Sequence, residues 1–260
     1  MYTCLLYDVQ HGVATITLNR PDVFNAFNDP QSYELQDALK QATEDTAVRV
    51  VVLTGAGRAF CSGQDLKAAQ ESPDKFSFHE TLQKRYNPII RAMRTMPKPI
   101  IGRLNGVAAG AGCSLALACD ALIASTDASM IEVFINIGLV PDSGSSYFLP
   151  RIVGSLKAFE LCTLGSKVTA EEALRLGLVN QVVAPGELDA AVAALAARYA
   201  AAPTKAIGLT KLMLNKSGAA SLDEMLDFEA DCQQMAGESA DYQEGVAAFS
   251  EKRKPAFRGE

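Results

Sequence analysis

An α/β fold with an all-helical C-terminal region is what this 260-residue sequence predicts, on three observations. Short apolar runs of strand character alternate with helical patterns up to about residue 200. Four helical patterns follow one another after Pro185. One strand-like run passes through a Gly/Ala turn directly into a helix. The chain accordingly divides into an α/β body, residues 1–200, and a helical region, residues 201–260.

The elements follow from local pattern. Cys4–Val9 and Val13–Asn19 read as strands joined at His11-Gly12, the start of a hairpin. Asp29-Pro30 opens a helix running to about Thr43, with Pro in its first turn. Arg49–Thr54 is a buried strand and Gly55–Asp65 a loop. A longer helix spans Phe78–Met96, stopped by Pro97 and Pro99. The strand Pro99–Leu104 then meets Asn105-Gly106, and Val107–Gly112 opens into the helix Cys113–Cys119. Ala121–Ala124 and Leu178–Val183 are strands; Ser155–Leu164 and Ala170–Leu176 are helices. Leu188–Ala201, Thr204–Leu214, Ser221–Ala236 and Ala240–Lys252 complete the chain with helical periodicity.

Composition narrows the functional classes. Apolar content of 48% with 21% charged residues describes an ordinary globular protein. A net charge of −6 argues against nucleic acid or an anionic membrane as partner, while a few local lysines could still hold a small anion. Six cysteines without a CxxC pair, and only two histidines, predict free thiols and no metal site. The start MYTCLLYDVQ lacks the pattern of a signal peptide, and the uncharged run Leu104–Cys119 is too short and Gly-rich to span a membrane. A cytoplasmic location is the expectation.

Several chemistries can be tested against the residues. Gly112–Ala116 approaches a nucleophile elbow around Ser114, but that arrangement needs a later His, and His11 and His79 both precede it. Gly110-Ala111-Gly112 could begin a dinucleotide fingerprint, yet Leu115 stands where its third Gly belongs. Cys61 reads as a small buried thiol rather than a nucleophile. Two readings of the Gly/Ala turn stay open: close helix–strand packing, or unpartnered backbone N–H groups aimed at an oxygen that gains charge. Asp142 has two as well, a helix cap or a carboxylate in an apolar pocket that takes and returns a proton. Asp65 reads as a cap or turn residue.

Four segments, in this order and spacing, resemble the crotonase superfamily of enoyl-CoA hydratase/isomerase-like proteins. They are Asn19-Arg20-Pro21, GAGRAFCSGQDL at Gly55–Leu66, NGVAAGAG at Asn105–Gly112, and GLVPD at Gly138–Asp142. The closing run Glu244–Arg253 is similar too, so the resemblance spans essentially the whole chain. It implies a crotonase-like superhelix of ββα units whose helical C-terminal part serves trimer formation, often as a dimer of trimers.

The resemblance also implies site roles. The backbone N–H groups of Gln64 and of Ala111, which follows Gly110, would hold the acyl-CoA thioester oxygen. Backbone around Ser62, Gln64 and Leu66 would cradle the adenine, Lys67 would lie near the CoA phosphates, and Phe249 and Lys252 would reach a neighbouring subunit's CoA. Coenzyme A enters as part of the substrate, with no tightly bound cofactor. The stretch Lys67–Arg94 would line the acyl pocket, with Tyr86, Phe134 and Phe148 as aromatic candidates.

The two Glu residues of the family's hydratases fall on Ser114 and Phe134, so both carboxylates are missing. Glu132 could substitute only if Ile131–Ile135 is extended, which would place it on one face with Phe134. Asp142 matches the single acid of the superfamily's double-bond isomerases. Asp142-Ser143-Gly144, Leu149-Pro150-Arg151 and Ser239–Gly245 look most like the phenylacetate-pathway 1,2-epoxyphenylacetyl-CoA isomerase branch. The expectation is therefore an acyl-CoA double-bond isomerase. The rivals are a hydratase using a displaced acid, a 4-chlorobenzoyl-CoA dehalogenase-like enzyme (disfavoured by the absence of Trp), and a non-catalytic acyl-CoA scaffold.

Overall fold

Two strands, β1 (Leu5–Gln10) and β2 (Val13–Leu18), open the computed structural model, which describes residues 2–67 and 77–260. His11 and Gly12 both take positive φ, +51° and +79°, the twist that a two-residue hairpin requires. Helix α1 (Asp29–Glu44) is capped by Asn28, whose side chain accepts the Gln31 N–H at 3.0 Å; the cap lies one residue before the expected Asp29. Next come β3 (Val50–Gly55) and β4 (Ala59–Cys61). Helix α2 runs Phe78–Thr81, widens to a π turn over Leu82–Tyr86 and continues as Asn87–Thr95.

The chain then passes through β5 (Ile100–Leu104), β6 (Val107–Ala109), α3 (Ala111–Leu117), β7 (Ala121–Ser125) and β8 (Ser129–Ile131). A 3₁₀ turn, Val133–Ile137, leads towards α4 (Ser145–Leu164), which is broken at Gly154. After β9 (Val168–Thr169), α5 (Ala170–Arg175) and β10 (Gln181–Val183) come α6 (Leu188–Ala200), α7 (Thr204–Ser217), α8 (Leu222–Gly237) and α9 (Ala240–Glu251). Among the described residues no helix is long and apolar enough to cross a membrane.

Six strands form one sheet in the order β1-β2-β3-β5-β7-β10, parallel from β2 onward. Four short strands form a second, β4-β6-β8-β9. Each pair β3-β4, β5-β6 and β7-β8 therefore sends one strand to each sheet before the chain turns into helical structure. This repetition is the ββα superhelix. The large sheet is covered on both faces, which is why β3 reads as the unbroken run VVVLTG. Val51 and Leu53 enter the main core with Leu35 and Leu39 of α1, while Val50 and Val52 face Leu188, Val192 and Ala196 of α6.

The second sheet departs from the expectation. Ala59–Cys61 and Val107–Ala109 were expected as loop and turn, but three residues are too few to show period-two alternation. Helix α4 also starts ten residues before the expected Ser155, because Pro150 and Gly154 (φ +77°) read as breakers while the chain stays helical on either side of Gly154.

The Gly/Ala turn does pack closely. A Cβ on Gly112 would stand 2.1 Å from the Cys61 carbonyl oxygen, so α3 rests directly on β4. Because both sides are backbone, Gly112→Ala is expected to cost about 3 kcal/mol or more, read as a lowered midpoint in chemical denaturation.

The C-terminal helices are tied to the body by polar contacts. Lys211 of α7, itself buried, pairs with Asp120 at 2.7 Å, and Asp120 also takes Arg94 of α2 at 2.8 Å. Buried Asp241 of α9 accepts the N–H groups of Arg258 and Gly259, folding the tail back on the helix.

Candidate active site

A cavity of about 110 Å³ gathers Ser62, Gln64, Leu66, Gly110, Ala111, Phe134 and Asp142, all singled out in the sequence. The segment after β4 supplies the first three, the start of α3 the next two, and the stretch from the 3₁₀ turn to α4 the last two. Phe78, Thr81, Leu82 and Tyr86 of α2 close another side, with Ile137 and Leu139. The four α2 residues fall within the expected acyl-pocket stretch Lys67–Arg94, of which residues 68–76 lie outside the described residues.

Two backbone segments run side by side across the cavity. Gly63 has φ +96°, and a Cβ there would stand 2.9 Å from the Ala109 oxygen and 3.5 Å from the Ala111 nitrogen. Only glycine fits that combination of conformation and space. Immediately after it, Gln64 is held by its neighbours: Phe27 N–H donates to Gly63 O at 2.7 Å, and Asp65 N–H to Phe27 O at 2.9 Å. Among the described residues, the N–H groups of Gln64 and Ala111 donate no hydrogen bond. Each is therefore a backbone donor without a partner, and both residues line the same cavity.

The Gln64 side chain serves as an anchor. Its Oε1 accepts the Tyr86 hydroxyl, and its Nε2 donates to Phe27 O at 3.4 Å. Tyr86, the last residue of the π turn, packs edge-on against Phe27 with ring centroids 5.4 Å apart. Burial pushes the Tyr86 hydroxyl well above its ordinary range, so it stays a neutral donor.

Asp142 is half-buried, and burial raises its carboxyl above the usual carboxylate range. Ser143 Oγ donates to Oδ1 at 2.7 Å and offsets part of that rise. Successive positive φ values at Ser143 (+50°) and Gly144 (+91°) turn the chain away into α4. The cap reading fails here: Gly144 occupies the cap position of α4, and it is the Asp142 carbonyl, not its carboxyl, that accepts the Ser145 N–H at 3.0 Å. The carboxyl is left on the cavity wall. Among the described residues it is the one carboxylate there.

The positions of the two missing acids are filled differently. The Phe134 ring forms an apolar wall. Ser114 is fully buried and turns its hydroxyl inward, to Asp142 O at 3.0 Å, Ser145 Oγ at 2.8 Å and Gly110 O at 3.3 Å. The displaced-acid expectation for Glu132 is not met. Residues Val133–Ile137 form a 3₁₀ turn rather than an extended segment, so Glu132 shares no face with Phe134. Its carboxyl lies behind the site on Ser145 Oγ, at 2.8 Å, and lines no part of the cavity.

Other candidates sit elsewhere. Asp65 takes an ion pair from Arg20 at 2.9 Å, joining the first and second of the four motif segments. Lys67 is exposed beside Leu66, at the rim. Phe249, 86% exposed, and Lys252 lie at the end of α9, outside the cavity of their own chain. Phe148 lines a separate groove beside Arg94. Cys61 is fully buried, which pushes its thiol up to about 12 and leaves it no part as a nucleophile.

The family profile for enoyl-CoA hydratase/isomerase matches residues 8–260. The chain belongs to the enoyl-CoA hydratase/isomerase family. It is 42% identical to 1,2-epoxyphenylacetyl-CoA isomerase of Escherichia coli, over the whole of both chains. It is 40% identical to a Rhodobacter capsulatus protein named "Probable enoyl-CoA hydratase", over 99% of each. The crystal structure of enoyl-CoA hydratase from Mycobacterium smegmatis superposes with a TM-score of 0.90 at 36% identity, covering 97% of this chain and 98% of that one. This enoyl-CoA hydratase/isomerase family enzyme thus has relatives named for both reactions.

What sequence reasoning missed in this family member is mostly apolar. Ile137 and Leu139 carry no chemical signature that sets them apart from core residues, whereas Phe78 and Leu82 fall inside the expected stretch Lys67–Arg94. The Tyr86–Gln64 link was equally invisible, since nothing in either local sequence points to a partner 22 residues away.

Proposed function

We propose that this enzyme is an acyl-CoA double-bond isomerase, of the Δ3-Δ2-enoyl-CoA or ring-1,2-epoxyphenylacetyl-CoA type. The observation that carries the reading is one carboxylate, Asp142, in a mostly apolar cavity that is also lined by the two residues with unpartnered backbone N–H groups, Gln64 and Ala111. The thioester oxygen accepts from Gln64 and Ala111. With a 3-enoyl-CoA, the Asp142 carboxylate removes a proton from C2, the electron pair delocalises into a dienolate whose charge rests on the thioester oxygen, and the same carboxyl returns the proton at C4. No atom is gained or lost. Hydration would require a group that holds water, and the phenyl ring of Phe134 and the inward hydroxyl of Ser114 supply none.

The CoA roles of Ser62, Leu66 and Lys67 belong to this proposal, as does a homotrimer or dimer of trimers in which Phe249 and Lys252 reach the neighbour's CoA. Large exposed apolar side chains support an oligomer: Leu156 (89% exposed) and Phe159 (72%) on α4, and Phe249 on α9. The reaction needs no cofactor beyond the CoA of its substrate.

The test supplies 3-enoyl-CoA, 2-enoyl-CoA, 1,2-epoxyphenylacetyl-CoA and 4-chlorobenzoyl-CoA separately to the purified protein. Migration of the double bond, or conversion of the epoxide to its isomer, is the expected outcome. Formation of 3-hydroxyacyl-CoA without isomerisation, release of chloride, or binding with no turnover of any ester would each overturn it.

A further inference from the structure

The Glu132 carboxyl has no role in the chemistry above, yet it is 3% exposed and, among the described residues, no cation pairs with it. Its Oε1 accepts from Ser145 Oγ at 2.8 Å; its Oε2 has no hydrogen-bond partner, and the thiol of Cys113 lies beside the carboxyl. Burying a carboxyl on so few partners is costly. From Ser145 the contacts continue to Ser114 Oγ at 2.8 Å and from there to the Asp142 carbonyl oxygen at 3.0 Å. That carbonyl also takes the Ser145 N–H, so the Asp142 peptide is held once by backbone and once by a buried chain of hydroxyls whose inner end is Glu132.

We propose that Glu132, acting through Ser145 and Ser114, is a positioning residue that fixes the Asp142 carboxylate in the cavity. The need for such an anchor lies in the backbone. Asp142 precedes two residues at positive φ, one of them the non-glycine Ser143, and a conformation of that kind persists only where surrounding contacts over-determine it. The hydroxyl chain accommodates either protonation state of Glu132. An ionised carboxylate accepts from Ser145, leaving the Ser114 proton for the Asp142 carbonyl. A protonated carboxyl, the form that burial favours, donates to Ser145, whose hydroxyl then donates to Ser114 Oγ, and Ser114 still donates to the Asp142 carbonyl. This inference rests on Asp142 being the proton shuttle.

The test compares Ser145→Ala, Glu132→Leu and Glu132→Gln with the parent, measuring kcat and KM on 3-enoyl-CoA and thermal stability. Ser145→Ala and Glu132→Leu are expected to lower kcat roughly tenfold to hundredfold with KM nearly unchanged, the signature of a misplaced reacting group. Glu132→Leu should melt no lower than the parent, since it removes a poorly partnered buried carboxyl. Glu132→Gln, which can still bond Ser145, should recover most of the kcat. Unchanged kcat in the first two, a Gln variant as impaired as Leu, or kcat losses that merely follow lost stability would overturn the proposal. A second readout needs no turnover: the ¹³C resonance of the Asp142 carboxyl, identified by its loss in Asp142→Asn. It should move in Ser145→Ala and Glu132→Leu and return towards the parent position in Glu132→Gln; a resonance that stays put counts against positioning. If the parent shows no isomerisation, the reading of Asp142 falls, and this resonance still decides the positioning.

Discussion

Asp142→Asn is expected to lower isomerase turnover by about 10³-fold or more while acyl-CoA binding survives. The carboxylate is asked both to take and to return the proton, and an amide does neither. The donors proposed to hold the thioester oxygen are backbone groups and the walls are mostly apolar, so the substitution leaves them in place. Steady-state kinetics on 3-enoyl-CoA, with calorimetric titration of a non-reactive acyl-CoA, separates the two effects. A variant retaining turnover would remove Asp142 from the mechanism. The pH profile is a second handle on the same residue. Burial raises Asp142, and the ionised form is the base, so kcat/KM should fall as pH drops through a value above the usual carboxylate range. The stability effect has the opposite sense. The folded protein keeps the Asp142 proton at pH values where the unfolded chain has lost it. The associated stability is therefore full below the unfolded value and is lost as pH rises through the folded one. Asp142→Asn should flatten that slope in acid-range denaturation, and the buried Glu132 contributes a slope of the same sign.

Gly63→Ala should cost about 10²–10³ in kcat, the range for removing one oxyanion donor. A Cβ at φ +96° is strained in itself, and it would press on the Ala109 carbonyl 2.9 Å away, between the two segments that carry the donors. Relief of that contact moves the Gln64 N–H relative to the Ala111 N–H, and two donors must converge on one oxygen. Gly237→Ala, at the end of α8 where a Cβ meets nothing within 4 Å, is the control and should leave kinetics unchanged. Assays below both melting temperatures distinguish a displaced donor from a loss of folded protein. Full turnover in a folded Gly63→Ala variant would show that this backbone segment does not hold the reacting oxygen.

The legible part of the fold was the part written in long periodic segments. The runs of β3 and β5 and the helices from Leu188 onward lie within a few residues of where pattern places them. The second sheet was illegible because its strands have two or three residues and are selected by pairing with one another, not by propensity. The site divides in the same way. Gln64, Ala111 and Asp142, which line one cavity, could be singled out because the sequence around each carries a motif. The Ile137 and Leu139 walls, the Tyr86–Gln64 bond and the inward orientation of Ser114 could not, since each depends on a partner far away in the chain.

By itself the sequence determined the α/β class and, through its motif order, the ββα superhelix, and it singled out Asp142 and the turns at Gln64 and Ala111 as candidates. Only the tertiary structure decided where the carboxyls of Asp142 and Glu132 lie. Both are carboxylates within a few residues of the same turn, and sequence spacing left the first between cap and acid and the second as a displaced catalyst. The turn at Ser143-Gly144 leaves the Asp142 carboxyl on the cavity wall, and the 3₁₀ turn at Val133–Ile137 leaves Glu132 behind it. The direction in which a side chain leaves the backbone is set by local φ/ψ and packing, and neither is encoded in residue spacing.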